Sequence, residues 1–160
     1  MRYVTLGLVA LVFAGGTAGA QAPDAQLSAP IQKFIDSFNK GDMAGAAATH
    51  AADASITDEV SPFLWRGPQA LKTWAADLES DAKKRGITDQ SVAISAPTRT
   101  ETNGDQAYVV VPAVYTFKER GVAMREAAQM TFVLKKSAAG WLIHAWTWTG
   151  PKPQKAAAKE

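Results

Sequence analysis

The chain has 160 residues, with 17 lysines and arginines against 15 aspartates and glutamates, and no cysteine. A charge this close to balance gives no electrostatic basis for binding nucleic acid. The absence of cysteine excludes disulfides and thiol chemistry, so stability has to come from packing around what this length suits best, a single core.

Residues 1–20, MRYVTLGLVALVFAGGTAGA, combine Arg2, an apolar run from Val4 to Ala14 and the small residues Ala18-Gly19-Ala20, the pattern of a secretory signal. The run is shorter than the roughly 20 residues a permanent span needs. The expectation is therefore an exported protein, periplasmic or secreted, that starts near Gln21 and keeps no membrane segment after cleavage. Residues 21–28 read as a linker.

Ser28 as N-cap and Pro30 in the first turn predict a helix whose apolar positions Ile31, Phe34, Ile35 and Phe38 form one stripe and which Gly41 ends. Asp42 caps a second, alanine-rich helix reaching about His50, and the alternation over Ala54 to Glu59 predicts a short strand. Gly67-Pro68 opens a third helix, with Leu71, Trp74, Ala75, Leu78 and Ala82 at helical spacing; Lys83-Lys84-Arg85 and Gly86 close it.

From Ser91 onward the chain reads as four strands, 91–101, 106–118, 122–136 and 141–149, joined by turns at Asn103-Gly104, Arg120-Gly121 and Ala138-Ala139-Gly140. The strand over 106–118 is long, and Pro112 removes a ladder donor at its middle, so a bend is expected there. The tail 151–160, PKPQKAAAKE, lacks large apolar residues and reads as flexible. The fold class is α+β: a curved antiparallel sheet forming a cone, with three helices on its concave side.

This order, with NKGD at Asn39–Asp42, HAADASITDE at His50–Glu59, WRG at Trp65–Gly67 and GWLIHAWTW at Gly140–Trp148, resembles the nuclear transport factor 2-like or SnoaL-like superfamily over residues 29–150. The superfamily also houses ketosteroid isomerases and scytalone dehydratase. The resemblance implies a pocket inside the cone for a small, largely apolar molecule. It also implies that Asp58 stands where the isomerases keep a proton-shuttling aspartate. Their tyrosine of the first helix would fall at Phe34, which has no hydroxyl, and their second acid near Gln129 to Phe132, where none stands. Ketosteroid isomerase activity is therefore not expected.

Asp58 is the candidate catalytic residue. Neighbours on a strand face opposite ways, and Asp58 shares its face with Ile56, so Asp58 is expected inward and Glu59 outward. The structural alternative is a strand-end carboxylate satisfied by loop amides or Arg66.

Side chains expected at the pocket are Phe34, Phe38, Trp65, Trp74, Tyr115, His144, Trp146 and Trp148. Strict alternation puts Trp146 and Trp148 on the face of Leu142 and His144, where they line the pocket or serve as core or a subunit contact. Arg125 and Glu126 read as solvated or cross-strand charges. Both faces of 106–118 are apolar, which predicts a homodimer through the sheet. No metal site or cofactor is expected, since His50 and His144 lack ligand spacing. The functional expectation is a non-catalytic domain that binds a small apolar molecule or acts as an interaction module. The alternative is a lyase- or isomerase-type enzyme in which Asp58 is the base and Tyr108, Tyr115 or His144 the donor.

Overall fold

The computed structural model describes residues 23–157; the expected signal segment lies outside them. The elements are α1 (Pro23–Asn39), α2 (Met43–Ala47), β1 (His50–Thr57), β2 (Leu64–Arg66), α3 (Ala70–Arg85), β3 (Ile87–Ile94), β4 (Arg99–Asn103), β5 (Gln106–Glu119), β6 (Val122–Ser137), β7 (Gly140–Thr149) and β8 (Gln154–Lys155). Among the described residues the strands form one curved sheet in the order β2-β1-β7-β6-β5-β3, with β4 on β5 and β8 on β6. The sheet is mixed rather than wholly antiparallel, because β1 runs parallel to β7.

Helix α1 begins inside the segment read as linker. Leu27, 2% exposed, extends the stripe of Ile31, Phe34 and Ile35 by one turn, and all four are in the core. Pro30 thus sits within the helix, where it removes one hydrogen bond. Burying a leucine, worth roughly 1.5–3 kcal/mol, is of the size needed to offset that interruption of about 3 kcal/mol.

The C-terminal end of α1 is fastened to the sheet. Asn39 Nδ2 donates to the Val92 carbonyl and Asn39 Oδ1 accepts from the Val92 amide, both at 2.8 Å, so one side chain pairs with β3 as a neighbouring strand would.

Strand β5 is continuous through Pro112, and the break falls in its partners instead. On one side β5 pairs with β4 over Gln106–Val110 and with β3 over Ala113–Glu119. Pro112 lies at the junction, where Ser95 N donates to its carbonyl at 3.0 Å but no ladder partner needs its missing N–H. The strand expected over 91–101 splits accordingly at Pro97.

The tail is also not wholly free. Strand β6 outruns β7, which ends opposite Gln129, and the exposed edge pairs with β8 through Met124↔Lys155 and Arg125↔Gln154. Unfilled strand edges recruit whatever backbone is within reach, and here the returning chain supplies it.

Leu27→Ala should lower unfolding stability by roughly 2–5 kcal/mol, as a core truncation does. Denaturant titration checks this; a change under about 0.5 kcal/mol, typical of a surface site, would place Leu27 outside the core.

Candidate functional site

Helices α1 and α3 stand off the concave face of the sheet and leave a cleft of about 490 Å³, its open mouth included. Its walls are aromatic and aliphatic: Phe34 and Phe38 from α1, Trp74 and Leu78 from α3, Tyr115 from β5, and Trp146 and Trp148 from β7. The rings brace one another. Trp74 meets Trp146 edge to face at 5.1 Å between centroids, and Phe34 lies 5.6 Å from Trp146. Edge-to-face contacts of this kind hold large side chains in fixed positions.

Two acidic residues, Asp58 and Glu59, line this apolar space. Strand β1 ends at Thr57, so strict alternation no longer governs them; the turn that follows, closed by Phe63 N donating to Val60 O at 2.8 Å, sends both toward the cleft. The expectation of an outward Glu59 is corrected on that ground. Asp58 Oδ2 accepts from Trp74 Nε1 and Asp58 Oδ1 from the Glu59 amide, both at 2.6 Å. Its partner is thus an indole and not Arg66. Burial pushes the Asp58 carboxyl above its ordinary range, while the Trp74 bond and the amides of Glu59 and Val60 pull it back.

A third acid, Glu126 on β6, is buried, which corrects its reading as a solvated or cross-strand charge. It is 1% exposed and stands opposite Tyr115 in the β5–β6 register, which directs both side chains to the concave face. Trp148 Nε1 donates to Glu126 Oε1 at 2.8 Å, and Gly150 leaves room for that oxygen, since a Cβ there would collide with it. Glu59 and Glu126 lie within hydrogen-bond reach of each other. Burial first, then the charges of Glu126 and Asp58, push Glu59 up to about 7. Burial pushes Glu126 up as well, against the Trp148 bond. The pair therefore holds a proton near neutrality. Alternating positions on a strand carry no sign that a charged residue faces inward, and the only available signal was parity with Met130 and Phe132, which are buried.

Tyr115 lines the cleft but its hydroxyl donates to Gln90 Oε1 at 2.5 Å, and burial pushes its pKa up, so it remains a neutral phenol. His50 sits behind the aromatic wall. Its Nδ1 contacts the Ala46 carbonyl at 2.9 Å and its Nε2 accepts from Trp146 Nε1 at 3.1 Å, an arrangement that fits only the neutral ring protonated on Nδ1; burial lowers its pKa in agreement.

Two residues expected at the pocket lie elsewhere. Trp65 is buried in the core on β2 without lining the cleft, its Nε1 donating to Asp77 Oδ2 of α3 at 2.8 Å. His144 occupies a β-bulge, because Val133 pairs with Ala145 but Leu134 with Ile143. The extra residue shifts the alternation, so Ile143 joins Trp146 and Trp148 on the concave face and His144 turns outward, 3.4 Å from Asp53. Tyr108 is exposed, with Arg99 over its ring at 5.3 Å. Phe34, Phe38, Asp58, Trp74, Tyr115, Trp146 and Trp148 converge.

A curved sheet closed by helices around a cleft is the cone of the nuclear transport factor 2-like folds, and the sequence family agrees. The chain belongs to the SnoaL-like domain family, whose profile matches residues 27–147. Solved structures of similar fold include a ketosteroid isomerase-like protein from Erwinia carotovora atroseptica, 23% identical over 81% of this chain and 96% of that one, TM-score 0.62. A nuclear transport factor 2-like superfamily protein from Salmonella enterica is 16% identical over 86% and 95%, TM-score 0.66. A hexachlorocyclohexane dehydrochlorinase is 16% identical over 85% and 93%, TM-score 0.67. No curated protein matches the sequence significantly. Identities this low establish the fold, and relatives so differently named leave the reaction to be argued from the site.

The acid pair has a measurable signature. Because Glu59 binds its proton more tightly folded than unfolded, the native state holds more protons between about pH 4.5 and about 7, and stability falls as pH rises through that window before levelling. Urea titrations at pH 5 and pH 8 should show wild type losing stability at the higher pH, and Glu59→Gln losing distinctly less. An identical loss in the two proteins would remove Glu59 as the responsible group.

Proposed function

We propose that this chain is a proton-transfer enzyme of the lyase or isomerase type, acting on a small, mostly apolar molecule with an acidic C–H. The supporting observation is Asp58: a carboxylate in an aromatic cleft, held by Trp74 and backbone amides. Among the described residues no ion pair reaches it. Such a group is oriented yet incompletely solvated, and burial raises its pKa and so its strength as a base.

In this scheme an Asp58 oxygen takes the proton, an O–H bond forms as the C–H bond breaks, and the electron pair moves into an adjacent carbonyl or expels a leaving group. Return of the proton to a neighbouring carbon gives isomerisation; departure of the leaving group gives elimination. The apolar walls exclude water from the carbanion-like intermediate.

A second reading, binding without catalysis, is favoured by one feature. Phe34 offers no hydroxyl and that of Tyr115 is engaged by Gln90, so Asp58 has no idle tyrosine donor beside it to steady developing charge. Export belongs to the same proposal and is supported by the leader-like residues 1–20. So does pairing of two copies through the outward sheet face, where Tyr108 is exposed and Val114 and Val133 are only half-buried in the single chain.

Incubation with single-ring ketones in D2O should give deuterium at the carbon next to the carbonyl, read by mass spectrometry, and Asp58→Asn should slow it by about 10²–10⁴-fold. Ketones that bind without any exchange would favour the binding reading. Light scattering at micromolar concentration should return twice the monomer mass; a monomer there removes the dimer.

A further inference from the structure

The proposed function gives His50 no role, yet its ring is tied to the cleft wall by a bond that only one protonation state allows. Its Nε2 accepts from Trp146 Nε1 at 3.1 Å, while its Nδ1 lies 2.9 Å from the Ala46 carbonyl and 3.0 Å from Thr49 Oγ1. The Thr49 hydroxyl spends its own proton on that same carbonyl at 2.7 Å, so its oxygen is left to accept from Nδ1–H. Both nitrogens of the neutral ring are thereby satisfied. The elements packed around it present Phe34 from α1, at 4.8 Å between centroids, Ala46 from α2, Thr49 from the turn before β1, and Trp146 from β7. Among the described residues no charged side chain of these elements bonds or pairs with the ring; the acids Asp58 and Glu59 line the cleft, and His50 does not.

Trp146 is the hub of the aromatic wall. It is buried, 5.6 Å from Phe34 and 5.1 Å from Trp74 between centroids, and Trp74 in turn holds Asp58 Oδ2 at 2.6 Å. A chain of contacts therefore runs from His50 through two indoles to the candidate base. A proton added at Nε2 breaks its first link. The lone pair that accepted becomes an N–H, and two N–H groups then face each other across 3.1 Å. An indole nitrogen can only donate, so Trp146 has no way to reverse its part, and one of the rings has to move.

We propose that His50 is a positioning residue that latches this wall: neutral, it holds Trp146 in the arrangement that receives a ligand, and protonated it lets Trp146 go, so that the cleft empties in acid. This adds regulation to the proposed function and rests on the cleft being its ligand site. Burial holds the His50 pKa below the ordinary 6.5, against the pull of the Ala46 bond, so the latch is closed at neutral pH. Because the ligand binds the neutral form, the empty protein carries more protons than the complex once pH falls through that pKa. Affinity then declines by up to about ten-fold for each further pH unit.

The test uses the whole chain with 2-phenylethanol, which is uncharged throughout, as the probe. Its affinity by equilibrium dialysis should weaken about ten-fold from pH 7.5 to pH 4.5 in wild type, and by no more than about two-fold in His50→Gln, whose amide oxygen accepts from Trp146 at either pH. Asp58 is present in both proteins, so its own titration cancels in the comparison. Without ligand, the Trp146 indole N–H resonance in proton–nitrogen NMR, identified by its loss in Trp146→Phe, should shift along the titration of the His50 ring and stay fixed in His50→Gln. Should His50→Gln fail to fold, Trp146→Phe replaces it: lacking the N–H, it should bind more weakly but without the acid dependence. An indole resonance that ignores the His50 titration, equal acid dependence in wild type and variant, or loss of the whole fold by circular dichroism over the same span would overturn the proposal. The resonance needs no ligand and the probe no reaction, so a failed latch and a failed deuterium exchange at Asp58 are read separately.

Discussion

The indole N–H bond to a carboxylate is the interaction on which this interior depends. Trp74 holds Asp58 and Trp148 holds Glu126, while Trp65 does the same for Asp77 on α3. An indole can donate but cannot carry charge, so it orients an acid without neutralising it. A lysine or arginine in the same place would have paired the acids and lowered their pKa values. The choice of tryptophan leaves Asp58 and Glu126 fixed in direction while burial raises their basicity, which is a useful condition for chemistry and a costly one for folding.

The remainder of the architecture serves that arrangement. Helices α1 and α3 could not bring Phe34 and Trp74 against Trp146 unless α1 were anchored, and the extra turn through Leu27 and the Asn39 clamp on Val92 do so at its two ends. The sheet supplies curvature and register. Because Tyr115 stands opposite Glu126, a slip of one residue between β5 and β6 would carry Glu126 to the outer face and dismantle the acid cluster.

Much of this was legible in the sequence, for identifiable reasons. Helical spacing over Ile31–Phe38 and Leu71–Ala82, and turn chemistry at Asn103-Gly104 and Arg120-Gly121, are local signals, and local signals placed the helices and hairpins of the α+β cone. What escaped was set by contacts between distant segments. The bulge at His144 arises from the β6–β7 pairing, and it brings Trp146 and Trp148 onto the face of Ile143. The role of Glu126 depends on Trp148 and on the chain closing over it at Gly150, neither of which lies near it in sequence. The turn after Thr57 defeated a parity argument that was sound only while the strand lasted. The parallel pairing of β1 with β7, and the return of residues 154–155 to β6, are likewise matters of tertiary proximity.

Strand β3 forms one margin of the sheet, and margins with idle amides and carbonyls invite a stranger's backbone to join. The amide of Asn39 occupies both main-chain groups of Val92 at the middle of that margin. A side chain that tethers a helix thereby acts also as a stopper, sealing the sheet against runaway growth along its rim.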